Sequence, residues 1–504
     1  MRLIIGIFSI FMVILIFVVD GANAQVALVK DINNGPDSSS PSGLVVVDNT
    51  LFFAADDGTH GTELWMSNGT LFITSLVKDI NPGNANSSPT GLTDVNGTLF
   101  FAADDGTHGV ELWMSNGTLA GTNLVEDINP ANANSSPTGL TDVNGILFFA
   151  ADDGTNGIEL WRSNGTSVGT DLVENINPGN ANSSPTGLTD VNGILFFAAD
   201  DGVHGIELWM SNGTLAGTDF VKDINPGAGS SPTGLTDVNG TLFFAADDGA
   251  HGIELWMSDG TDAGTVLVKD INPGAGSSPT ELTDVSGTLF FVADDGTNGA
   301  ELWKSDGTDA GTLLVKDIRP GGGSSSPSGL TDVNGTLFFA ADDGTNGIEL
   351  WKSDGTDAGT VLVKDIRPGA ASSSPTELTD VDGTLLFAAN DGTTGVELWQ
   401  SDGTDALTVL VFDINPGASS SSPHGLTNLN GTLLFAANDG TTGVELWKKT
   451  TGTSGGSSGS SGCFITAVTG EFQKVRYGIL SFLFITVIIP IVVVLLIRKR
   501  NNER

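Results

Sequence analysis

The sequence predicts an all-β chain: a β-propeller of nine four-stranded blades, closed by the N-terminal strand, followed by one C-terminal transmembrane helix. Three observations carry that reading. Tryptophan falls at nine positions, Trp65, Trp113, Trp161, Trp209, Trp256, Trp303, Trp351, Trp399 and Trp447, each 47 or 48 residues from the last. Each ends a Glu-Leu-Trp triplet inside a unit of four short apolar runs separated by turn residues. The two ends of the array are incomplete in complementary ways.

The period lies in the range of propeller blades, and one copy is too short to bury its own core, so neighbours must stack. The nine tryptophans are expected to be structural residues of that stacking. In the unit around Trp256, residues 234–238 (GLTDV) read as a first strand. Asn239-Gly240 is a two-residue type I′ hairpin signal. Residues 241–246 (TLFFAA), 253–257 and 266–271 (VLVKDI) read as the second, third and fourth strands, joined by DDGAHG and DGTDAGT. The longer NPGAGSSPT stretch that follows carries Pro and Gly and cannot continue a strand. Short turns join strands of one sheet, and the long loop crosses to the next blade. On this division the chain enters on a lone fourth strand, residues 26–32, and leaves after Trp447 without one. The first fragment supplies what the last blade lacks, which predicts a closed ring.

Composition bounds the rest. The 68 glycines among 504 residues are about twice the usual ~7 %, as many tight turns require. A formal net charge of −40 excludes nucleic-acid binding, which needs a cationic face. Residues 1–24 read as a secretory signal: Arg2, an apolar run, then Ala22-Asn23-Ala24 as the cleavage site, with Ala24 the last residue removed. Residues 25–449 hold the repeats. Residues 450–477 form a Gly/Ser-rich tether and a short sorting-like motif. Residues 478–497 are uncharged and, as a helix of about 30 Å, long enough to span a bilayer. Arg498, Lys499 and Arg500 open a basic tail, residues 498–504, placed in the cytoplasm by the positive-inside rule. The expected location is the extracytoplasmic surface, single-pass, with the N-terminus outside.

The chemistry-bearing residues are repeated ones. Aspartate recurs at one turn position, 57, 105, 153, 201, 248, 295, 343, 391 and 439, and Glu stands two before every Trp. A group needed nine times is expected to be structural. Asp before Gly caps turns through its own carboxylate. The Glu shares a strand face with Trp and, if buried, needs hydrogen-bond partners, expected on a neighbouring blade's backbone. The competing reading is Ca²⁺ held by adjacent carboxylates, with Asp56, Asp57, Asp104, Asp105, Asp247 and Asp248 as candidates. Asn390 and Asn438 replace the first Asp in later copies, against a charge-dependent site. No catalytic residue, other metal site or organic cofactor is assigned. The face collecting the DDGTxG turns and the NPGxxSSPT loops is expected to be acidic and to be where a partner docks.

The repeats resemble the ELWxxDGT family of exported prokaryotic proteins. Met257-Ser258-Asp259-Gly260-Thr261 after Trp256 has the full pattern; the first four copies carry Asn68, Asn116, Asn164 and Asn212 in place of Asp, and the last copy departs most. The resemblance covers roughly residues 26–449 and implies a surface or secreted protein without a defined activity. Gly462-Cys463-Phe464-Ile465-Thr466-Ala467 is similar to CFIATA-type surface-sorting tails, with Thr466 where that pattern has Ala, and makes Cys463 a candidate processing or lipidation point. Together these readings set the expectation of a non-enzymatic, adhesion-type display protein with a polysaccharide or a surface protein as ligand. The alternatives are a purely structural envelope protein and, from another class, an exported propeller hydrolase.

Overall fold

The computed structural model describes residues 26–130 and 132–450. They form nine four-stranded antiparallel sheets, eight of them with their strands in chain order from the centre outwards and the ninth completed by the first strand of the chain. In the first blade the inner strand is Ser42–Val47, the second Thr50–Asp56, the third Thr62–Ser67 and the outer Ser75–Lys78. The ninth blade has His424–Leu429, Thr432–Asn438 and Val444–Thr450 from the C-terminal end, and Val26–Lys30 from the N-terminal end as its outer strand. The ring therefore closes as the offset of the two ends predicts. Val26 pairs with Lys449 and Leu28 with Trp447, and the inner strands Ser42–Val47 and His424–Leu429 lie side by side like those of every other neighbouring pair.

The core lies between blades. Val47, Phe52, Leu64, Val77 and Ile80 of the first blade pack against Leu99, Phe101, Ala103 and Trp113 of the second. Second strands such as TLFFAAD are buried on both faces because each is sandwiched by two neighbours. The closing junction uses the same set: Val29, Ile32, Leu434 and Leu446 against Leu51, Phe53 and Trp65. Burying Phe53 or Leu64 completely is worth about 1.5–3 kcal/mol each, and a lone blade has no surface to bury them on.

Two local departures from the expected strands have physical causes. The outer strand of the fifth blade is Val266–Lys269, ending before Ile271. A register shift falls between Leu255 and Trp256, and the Ile271 N–H donates to the Glu254 carboxylate instead of to the sheet. The inner strand also carries a register shift, between Thr233 and Thr236, with Gly234 inside it at φ +65°. The Asn239-Gly240 turn has both residues at positive φ, 52° and 82°, as a type I′ hairpin requires.

Candidate functional site

Antiparallel strand order puts the inner-to-second hairpins of all nine blades and the third-to-outer turns of the first eight on one face. The second-to-third turns and the crossing loops lie on the other. The repeated carboxylates of the second face are committed to their own turns. Asp57 Oδ1 accepts from the Thr59 and His60 amides, both at 2.9 Å, and from the Thr59 hydroxyl at 2.8 Å, while Oδ2 meets His60 Nδ1 at 2.8 Å. Burial pushes the Asp57 carboxyl up, but these hydrogen bonds outweigh it and hold it down at about 2. Asp105 is held at about 2 by the same set from Thr107 and His108, against the same opposing burial. Asp248 is lowered through His251 and Ala250, again against burial. Asp56, Asp104 and Asp247 each accept the amide two residues on, at 2.7 Å. Among the described residues no group of three or more His, Cys, Asp or Glu side chains converges as a metal site would.

The Glu before each Trp is fully buried in all nine blades. Glu63 Oε2 accepts from Ile80 N at 2.8 Å and Ser87 Oγ at 2.6 Å, and Oε1 from Ser87 N at 2.9 Å. Its partners thus lie in the loop that crosses to the next blade, where the sequence suggested a neighbouring blade's backbone. Burial is the largest influence on this carboxyl and pushes it up, against the hydrogen bonds.

The tryptophans lie in the packed layers between blades and not at an open site. Trp113, Trp161, Trp209, Trp256, Trp303, Trp351, Trp399 and Trp447 each join the apolar cluster shared with the preceding blade. Trp65 does so across the closing junction, against the ninth blade. All nine side chains are between 4 and 9 % exposed. Lys30 Nζ stands 5.1 Å above the Trp65 ring, and Lys78 does the same over Trp113. Each indole N–H is buried without a partner among the described residues.

Open cavities lie on the face opposite the one the sequence pointed to. They occupy junctions between blades, where a hairpin and a third-to-outer turn meet. The junction of the fourth and fifth blades holds about 380 Å³, lined by Asn192, Phe196, Met210, Asp219 and Asp259 among others. The sixth and seventh enclose about 220 Å³ with Ser286, Phe290, Lys304 and Asp354. The seventh and eighth enclose about 200 Å³ with Asn334, Phe338, Lys352 and Asp402. Glycine makes the close approach possible: a Cβ on Gly260 would lie 3.2 Å from Phe196 Cζ and 3.3 Å from Met210 Sδ, at φ +88°. Each slot is lined by one largely buried Phe together with amide or hydroxyl groups and charged groups.

Two residues that break the ninefold repeat were not singled out from the sequence. Glu281 and Glu377 occupy the inner-strand position that is Gly in the other seven blades, at φ 56° and 57°. Glu281 Oε2 accepts from Gly329 N of the next blade at 2.9 Å, and Glu377 Oε2 from Gly425 N at 2.8 Å. The signal was present: TELTDV stands where other copies read TGLTDV. Ala24, Cys463, the signal segment and residues 478–497 lie outside the described residues. Among the described residues no helix is long and apolar enough to cross a membrane.

No protein-family model matches the chain, and no curated protein matches it either. Among solved structures it is similar to a puromycin hydrolase, at 13 % identity and a TM-score of 0.36, over 72 % of this chain and 60 % of that one. It is similar to a prolyl endopeptidase at 13 % and 0.39, over 70 % and 54 %. It is similar to oligopeptidase B from Leishmania major at 11 % and 0.41, over 70 % and 53 %. The chain thus spans little more than half the length of these proteins, and at this identity the likeness is one of fold. The sequence pointed to a non-enzymatic display protein, whereas the solved structures similar to this chain are hydrolases. What defines the chain is its class: a nine-bladed propeller repeat ring.

Proposed function

We propose that the ring holds a repetitive polysaccharide in the inter-blade slots of its hairpin face. The observation that carries this is the recurrence of one slot type, lined by a Phe with Asn or Ser, an Asp and in two of the three a Lys, at three junctions of the ring. Sugars present C–H faces and hydroxyls together, and such a lining meets both. Similar sites repeated around one ring favour a polymer of repeating units through effective concentration. The ELWxxDGT resemblance and the segments flanking the ring support a place on the outer surface, with residues 478–497 as the anchor.

The test is retention of the full chain on insoluble polysaccharides of differing charge, with released reducing ends assayed in the same reactions. Retention lost in Asp354→Ala/Asp402→Ala, with unchanged circular dichroism, is the expected result. Equal retention of the variant and the parent on every polymer would sink the reading.

A further inference from the structure

The third-to-outer turns divide the ring into two arcs. On the first four blades these turns begin with Asn and carry apolar tips: Leu71, Phe72 and Ile73, then Leu119, Val168 and Leu215. Phe72 is 92 % exposed, Val168 93 %, Leu119 68 % and Leu215 67 %. On the fifth to eighth blades the same turns carry two aspartates each, such as Asp259 and Asp262, and the second is paired with a lysine of the preceding blade, as Asp262 is with Lys222 at 3.0 Å; of these four turns only the eighth blade's also bears an exposed apolar residue, Leu407. All eight turns lie on one face.

The chain leaves the ring on that same face. In the ninth blade the place of a third-to-outer turn is taken by the gap between Thr450 and Val26. Lys448 Nζ donates to Gly69 O at 3.0 Å, and Lys30 Nζ to Thr74 O at 2.9 Å. Lys448, just before the gap, and Lys30, at the other end of the outer strand from it, therefore both hold the turn that bears Phe72. Beyond Thr450 the sequence continues to the uncharged residues 478–497.

We propose that the apolar arc of the first four blades docks the ring on a phospholipid surface. Apolar tips without charge, three residues on the first blade and one on each of the next three, can each enter a fluid interface without the matching shape a protein partner would have to supply. The acidic arc is repelled by anionic headgroups, so the ring sits tilted, with its first four blades down and the slots of the sixth to eighth blades open. The anchor reading of residues 478–497 underlies this proposal.

The test uses the full chain in vesicles of phosphatidylcholine and phosphatidylglycerol. Nitroxide labels are placed one at a time by Phe72→Cys, Val168→Cys, Asp309→Cys and Thr59→Cys in a Cys463→Ser background. Collision rates with oxygen and with a water-soluble nickel chelate report the depth of each label. Labels at 72 and 168 should favour oxygen several-fold over those at 309 and 59. All four labels reading as aqueous, on chain that floats with the vesicles, would overturn the docking and spare the anchor. A chain that does not float overturns both. A second variant, Phe72→Ser/Val168→Ser, should leave flotation intact and raise nickel access at a label on Leu119→Cys; unchanged access there would count equally against the proposal.

Discussion

The Ser87 hydroxyl donates to Glu63 Oε2 at 2.6 Å in a site closed to water. The same carboxylate takes the Ile80, Asn81 and Ser87 amides, so one side chain holds four donors of the loop that leads to the next blade. Replacing Glu207, its counterpart in the fourth blade, by Ala should leave such donors buried and unpaired at about 1–3 kcal/mol each. A clear fall in the melting temperature is expected. A melting curve identical to the parent's would show that water replaces the carboxylate freely.

Glu445 has the same local chemistry but a different consequence. Its partners are Ile32 and Ser39, more than 400 residues away in sequence. Glu445→Ala should therefore release the N-terminal strand as well as destabilise one loop. Limited proteolysis should cut within residues 26–40 of Glu445→Ala, while Glu207→Ala stays intact there under the same conditions. Equal cutting of both variants would mean that pairing with Lys449 and Trp447 suffices to hold the seam.

The repeated acids give the ring opposing pH dependences. The nine buried Glu are all raised, by burial first. Their contribution is whole below the ordinary Glu value of about 4.3 and is lost as pH rises through the elevated folded value. His60, His108, His204 and His251 are raised, through their Asp partners first, and act in the same direction above about 6.5. The lowered turn aspartates act oppositely: their contribution is whole above about 3.9 and is lost as pH falls towards about 2. Thermal stability should thus peak at roughly pH 4–5 and fall on both sides. A scan by calorimetry checks this, and a maximum in the alkaline range would show that the Glu sites do not govern it.

The ring was legible because its logic is written in repeated residues: Trp spacing sets the blades, and the orphan strand at Val26 sets the closure. The early end of the outer strand was not, because Glu254 reaches 17 residues along the chain to take the Ile271 amide. The slots were missed for a similar reason. Their walls are two turns nearly 50 residues apart, brought together when Gly260 lies over Phe196, and nothing local in either turn announces a cavity. The carboxylates of the opposite face drew attention because charge is visible in a sequence while hydrogen-bond saturation is not.

Glu281 and Glu377 test how far the repeat tolerates exceptions. A side chain at φ near 57° costs roughly 1–2 kcal/mol that Gly avoids. Each Glu offsets this by accepting an amide of the next blade, Gly329 or Gly425. Glu281→Gly removes strain and hydrogen bond together and should change stability little. Glu281→Ala keeps the strain, loses the bond and should be less stable than Glu281→Gly by about 1 kcal/mol. The two sites act on different blade pairs, so losses in the double Ala variant should add. Denaturant midpoints for the three variants decide it: an Ala variant as stable as the Gly variant would mean that the inner strand relaxes out of the left-handed region.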